Sequence, residues 1–289
     1  MHLSIHYTTT YHYERPTLRL VQLLRVSPPS FDGQTVLDWR IDVDSDARLR
    51  EHRDGYGNVV HMLYVDHPIE RLKVDVSGRV LTEDRAGVVQ GLPGDLPPPA
   101  FLRTTPLTCM QGSLATLAHA LQQHDRAPRD ILHHLTERLF VKMRFDTEAT
   151  AVNTSAAEAF DAGHGVCQDY AHIFIAVARA LGIPARYVSG HLFRRDGANW
   201  QPATHAWVEA HDPELGWIGF DPTNGICSDD AYVRVACGLD YRDAAPFAGT
   251  VAGGGRQQLI VGVEVRDARE QAQAQSQGAG QMQQQGEPT

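Results

Sequence analysis

The chain has 289 residues, a formal net charge of −9 with its 15 histidines neutral, 42 % apolar residues and 21 % charged ones. That is the composition of a soluble globular protein, long enough for one large domain or two ordinary ones. It lacks the clustered lysine and arginine of a nucleic-acid footprint and any apolar run long enough to span a bilayer, so neither a nucleic-acid nor a membrane partner is expected.

The N-terminus alternates and carries no signal-peptide core, so the expected location is cytoplasmic, where thiols stay reduced. Residues 3–13 are rich in β-branched and aromatic side chains, and residues 36–43 alternate apolar with polar. Asp54, Gly55, Tyr56, Gly57 and Asn58 form a turn signal ahead of an apolar run at 59–65, and residues 72–80 alternate again. Short alternating strands punctuated by turn residues predict an antiparallel all-β domain over residues 1–95, sandwich-like or barrel-like. The Gly- and Pro-rich stretch 91–99 reads as its edge or linker.

The pattern then turns helical. Ser113 can cap a helix through residue 121, and Pro128 can begin one through residue 140. Ser155 and Glu158 have capping-box spacing for a helix over 155–162. Residues 167–181 form a long apolar helix pattern that stops at Gly182, Ile183 and Pro184. Its apolar residues recur on most faces, which predicts a buried, rigid element. Strands are expected at 185–193, 204–211 and 217–221, and a C-terminal strand at 256–267. Residues 268–289 are Gln, Ala and Gly with almost no apolar bulk, the composition of a disordered tail.

Cys167 opens the apolar helix, directly after Gly163, His164, Gly165 and Val166. A cysteine in the first turn faces unpaired N–H groups and the positive end of the helix dipole, which favours the nucleophilic thiolate. Asp169 in the same turn reads as a cap. His205 and Asp221 lie on the two strands of a hairpin whose connection, residues 212–216, is rich in turn formers. If His211 pairs with Trp217, then Trp207 lies across from Asp221, and His205, Trp207 and Asp221 share one face. Ala206, Val208, Ile218 and Phe220 then face the core, whereas a one-residue slip would turn Asp221 away. Nucleophile, base and orienter would thus be Cys167, His205 and Asp221.

The other cysteines, Cys109, Cys227 and Cys237, read as small packed side chains. No CxxC or HExxH spacing is present, so no metal and no cofactor is expected. Trp207 reads equally as a wall of a substrate groove or as packing. His164 reads as a substrate contact or a solvated loop histidine.

Three blocks together resemble the core of bacterial transglutaminase-like proteins, a group often described as cysteine proteases. The first runs from Gly165 through Cys167 to His172 and on to Gly190, the second is His205, Ala206, Trp207, Val208, Glu209, and the third is Gly219 to Gly225 around Asp221. The resemblance covers about residues 105–250, and residues 1–95 resemble the β domain that usually precedes this core. It implies an α+β fold, a papain-like or transglutaminase-like core preceded by an antiparallel all-β domain, with Cys167, His205 and Asp221 as catalytic triad. The oxyanion-hole glutamine of papain-type enzymes has no counterpart in Phe160, Asp161, Ala162, Gly163 and His164, which leaves the Cys167 N–H and a second group. The implied activity is thiol-dependent hydrolysis of a peptide, isopeptide or small amide. Acyl transfer to an amine is the alternative, and a non-catalytic binding module is the alternative of another class.

Overall fold

The computed structural model describes residues 1–94, 96–122 and 127–269. The N-terminal part is built of β1 (His2–Ser27), β2 (Gln34–Val43), β3 (Arg48–Arg53), β4 (Val59–Val65), β5 (Ile69–Thr82) and β6 (Val88–Val89). Helices α1 (Ser113–Gln122) and α2 (Pro128–Lys142), strand β7 (Arg144–Phe145), α3 (Ala156–Ala162), β8 (His164–Gly165) and α4 (Cys167–Ala180) follow. The rest is mostly strand: β9 (Ala185–Leu192), β10 (Trp200–Gln201), β11 (His205–Asp212), β12 (Gly216–Asp221), β13 (Ile226–Cys227), β14 (Tyr232–Gly238), α5 (Tyr241–Ala244), β15 (Phe247–Gly253) and β16 (Gln257–Asp267).

In the first half of β1, Leu3, Ile5, Tyr7, Thr9, Tyr11 and Tyr13 alternate inward, as a strand with one buried face must. This half lies between β5 and β16, and the second half between β4 and β15, all antiparallel. Pro16 falls where the register shifts, between His12 and Thr17 on the β5 side, so its missing N–H breaks no ladder bond. The strand therefore runs well past the stretch 3–13 that alternation reveals.

Strand pairing also crosses the boundaries drawn from composition. β15, which begins within the span 105–250, joins β1 of the N-terminal sheet. The C-terminal strand is not separate but pairs with β1 from Leu3–Asp267 to Tyr13–Gln257. Conversely, β6 adds to β12 of the second sheet. The physical reason is the long edge of β1, whose unpaired N–H and C=O groups need partners that the N-terminal residues alone do not supply. The tail reading for 268–289 falls almost wholly on residues 270–289, which lie outside the described residues.

The second sheet runs β13-β12-β11-β9-β14. One face, with Ala206, Val208, Ala210, Ile218 and Phe220, packs on the helices around Ile173, Phe174 and Val177 of α4. Each such large apolar side chain, once buried, contributes about 1.5–3 kcal/mol. At the far end of α4 from Cys167, the buried Arg179 guanidinium donates to the carbonyls of Phe101, Ala185 and Leu239 and to Thr108 Oγ1. Burial pulls its pKa down to about 10. A cation at a helix C-terminus is favourable to the dipole, and here it also locks the helix in place.

β14 ends the sheet, and side chains of the N-terminal part complete its outer edge. Gln34 Oε1 accepts from Arg234 N (2.8 Å) while its Nε2 donates to Arg234 O (2.9 Å). Asn58 does the same with Cys237, at 2.8 Å both ways. Asp54 shapes the turn that presents Asn58, accepting from Tyr56 N, Asn58 N and Asn58 Nδ2.

Candidate active site

Cys167 is positioned by the chain before it. Gly163 ends α3 in the left-handed conformation, at φ 74°. β8 then pairs with β7, and Arg144 N and Asp146 N donate to Gly163 O and Gly165 O, both at 3.0 Å. Asp169, 1 % exposed, reaches back to accept from Val166 N (2.8 Å) and from Thr150 Oγ1 (2.6 Å). A Cβ on Gly165 would sit 2.6 Å from Asp169 Oδ2, so glycine is required there. Burial raises the Asp169 pKa against these bonds. The cap expected of Asp169 is thus a bond that fixes the residue before the nucleophile.

The hairpin has His211 opposite Trp217 and Val208 opposite Phe220. One step further brings Trp207 alongside Asp221, with His205 on the diagonal. His205 Nε2 and Asp221 Oδ2 are 2.6 Å apart. Nε2 being taken, Nδ1 is the ring nitrogen left for the Cys167 thiol, which lies near enough to help raise the His205 pKa. Burial of His205 opposes its protonation, but the Asp221 carboxylate and then Cys167 outweigh it, and the pKa is raised to about 10.

Asp221 is wholly buried and richly held. Its Oδ1 accepts from Thr223 N (2.9 Å) and Asn224 N (3.3 Å). Its Oδ2 accepts from Asn224 Nδ2 (2.6 Å) and Tyr232 Oη (2.8 Å) besides His205. Burial works to raise its pKa, but His205, Tyr232 and Asn224 hold it below the usual carboxylate range. The Tyr232 hydroxyl is pushed far up in turn, by burial and then by Asp221.

Trp207 keeps 2 % of its surface, stacks on His205 with centroids 6.2 Å apart and meets Tyr232 edge-on. The indole thus packs along the imidazole. Gly190, across the ladder from His205, makes room for it: a Cβ there would lie 2.7 Å from the indole and 2.1 Å from Val233 O. His164 is half-buried in β8, close enough to Asp169 to lower its pKa. Cys237 is buried, and Cys109 and Cys227 are half-buried. Among the described residues no group of three His, Cys, Asp or Glu is placed to hold a metal ion. No helix among them is long and apolar enough to cross a membrane.

Two side chains that bond Asp221 escaped the sequence reading. Asn224 carried a signal, an Asn three residues after Asp221 in a turn. Tyr232 carried none, because it arrives from β14, a strand without alternation.

Comparison with known proteins agrees with this architecture. Residues 115–222 match the model of the transglutaminase-like superfamily core, and residues 3–81 that of the bacterial transglutaminase-like N-terminal region. The chain is 30 % identical to the uncharacterized protein ML0607 of Mycobacterium leprae over 275 residues, 91 % of this chain and 98 % of that one. It is 37 % identical over 91 residues to a protein-glutamine gamma-glutamyltransferase of Pseudomonas aeruginosa, 28 % of this chain and 12 % of that one. A crystal structure of a candidate cysteine protease from Cytophaga hutchinsonii superposes with a TM-score of 0.74 at 25 % identity, covering 92 % of this chain and 90 % of that one. The α+β fold, with its β-rich N-terminal region and transglutaminase-like core, and the relatives that share it place this chain in the bacterial transglutaminase-like family.

Proposed function

We propose that the protein is a thiol-dependent amide hydrolase, with Cys167 as nucleophile, His205 as acid and base, and Asp221 as orienter. The observation that carries this reading is the 2.6 Å His205–Asp221 contact, with Cys167 at the start of α4 near enough to the same imidazole to help raise its pKa. The resting state is a Cys167 thiolate paired with a His205 imidazolium, which Asp221 stabilises. The thiolate sulfur attacks the amide carbonyl carbon, and the C=O electron pair moves onto oxygen. The Cys167 N–H, without an intrahelical acceptor at the start of α4, stabilises that oxyanion. As the C=O re-forms, the C–N bond breaks and His205 gives its proton to the departing amine. Water then attacks the thioester carbon and gives its proton to His205. The C–S bond breaks, which releases the acid and restores the ion pair. His164, three residues before the nucleophile, is assigned to substrate contact.

A second reading replaces water by an amine, giving acyl transfer. It is favoured by the 37 % identical relative named as a protein-glutamine gamma-glutamyltransferase. The test is alkylation by iodoacetamide at pH 6, read by mass spectrometry, together with trapping of the acyl-enzyme from a peptide library by hydroxylamine. Rapid labelling of Cys167, lost in His205→Ala, and hydroxamates absent in Cys167→Ala support the enzyme. Labelling no faster than at Cys109 would make the chain a binding module. Products with added methylamine separate transfer from hydrolysis.

A further inference from the structure

We infer that the N-terminal β domain positions the catalytic aspartate: its Gln34 and Asn58 amides clamp β14, and β14 holds Asp221 through the Tyr232 hydroxyl. The inference rests on the Cys167, His205 and Asp221 reading above and extends it to a domain that brings no group to the reaction. Gln34 is 2 % exposed, and its amide is fully engaged, bonding Arg234 N and O and also Pro29 O at 2.8 Å. Asn58 is 1 % exposed and is held by Asp54 on one side and Cys237 on the other. These two amides stand where a neighbouring strand would stand, but they are single side chains, so they fix β14 at two points, on either side of the register shift between Arg234 and Ala236.

Tyr232 lies two residues from the Gln34 clamp. Its ring is wedged among Trp207 (5.3 Å), His205 (6.0 Å) and the body of the domain, and its hydroxyl has Asp221 Oδ2 at 2.8 Å. A cavity of about 50 Å³ separates the two domains here, lined by Gln34, Trp207, Tyr232 and Arg234 among others. β14 is held on one side by its ladder with β9, which includes the Tyr232–Leu192 pair, and with open space beside it the clamps hold its other side. Tyr232, Gln34 and Asn58 are therefore positioning residues, acting on His205 only through Asp221.

The sign of their effect follows from the donors on Oδ2. Three groups, His205, Asn224 and Tyr232, share that oxygen. Removing the tyrosine hydroxyl concentrates the charge on the remaining two, and His205 holds its proton more tightly.

The test is the pH profile of Cys167 alkylation in the full chain, which steps where His205 loses its proton, measured alongside the melting temperature. Tyr232→Phe is expected to move the step upward by about half to one pH unit, an up to about tenfold change in the ratio of the two His205 forms. Gln34→Ala is expected to move it the same way by less, and the double variant no further than Tyr232→Phe alone, because both act through one hydroxyl. If Gln34→Ala does not fold, Gln34→Glu, which keeps the acceptor for Arg234 N and loses the donor to Arg234 O, takes its place. A Gln34 variant that melts earlier but steps at the wild-type pH would overturn the inference, as would shifts that add in the double variant. A wild-type profile with no step would overturn the triad reading instead, and the inference with it.

Discussion

Asp221 and Glu209 are both wholly buried, on neighbouring strands of one sheet, yet their surroundings give them opposite characters. Glu209 sits between two guanidiniums, Arg186 Nε at 2.5 Å and Arg234 Nε at 2.8 Å, and Arg186 lies 4.0 Å over the Trp217 ring. Burial would raise the Glu209 pKa, but Arg186 and Arg234 hold it down. Its partners are guanidiniums, which keep their charge. Asp221 has one partner that titrates and several neutral donors. Burial alone therefore does not mark a functional carboxylate. What distinguishes the site is a partner whose charge can change.

Three measurements separate the two carboxylates. Glu209→Gln should have the largest effect, a loss of about 3–5 kcal/mol in urea unfolding, because it leaves two buried cations without an anion. Cys167 labelling should survive in whatever fraction stays folded, and its loss there would make Glu209 part of the site. Asp221→Asn should act the other way round. At pH 6 an unassisted thiol is ionised to well under 1 %, so iodoacetamide labelling of Cys167 should fall by about 100-fold. Its stability cost should stay below that of Glu209→Gln, and the reverse ranking would mean that the two carboxylates do not differ in this way.

The smallest effect is a pH dependence. His205 is raised from 6.5 to about 10, so the stability it adds is complete below pH 6.5 and lost as pH rises through 10. Asp221 is held below its ordinary value, so its share is present above about pH 4 and lost on acidification. The unfolding free energy of the wild type minus that of Asp221→Asn should thus be largest near pH 5–6.5 and shrink as pH rises through 10. The same difference taken against Glu209→Gln should stay flat.

Much of the site is legible in the sequence because it is local. The turn formers at 212–216 and the alternation on either side announce the hairpin, and the register it takes, His211 opposite Trp217, sets His205 diagonal to Asp221. The capping box of Ser155 and Glu158 reads directly, and its two bonds are made. What is illegible is what travels far or lacks a period. All seven residues of β14 are buried, so no alternation announces the strand that delivers Tyr232. The clamps of Gln34 and Asn58 are ordinary polar residues until β14 lies beside them. Pro16 suggests an end to β1 that the register shift makes unnecessary.

The pairing of Leu3 with Asp267 has a consequence for how the molecule is made. During synthesis the first strand emerges long before its last partner, and one edge of β1 stays open until β16 leaves the ribosome. The N-terminal domain is then the first to begin folding and the last to finish. Truncation before residue 257 would strand it half-zipped, with an apolar sheet edge that recruits other copies.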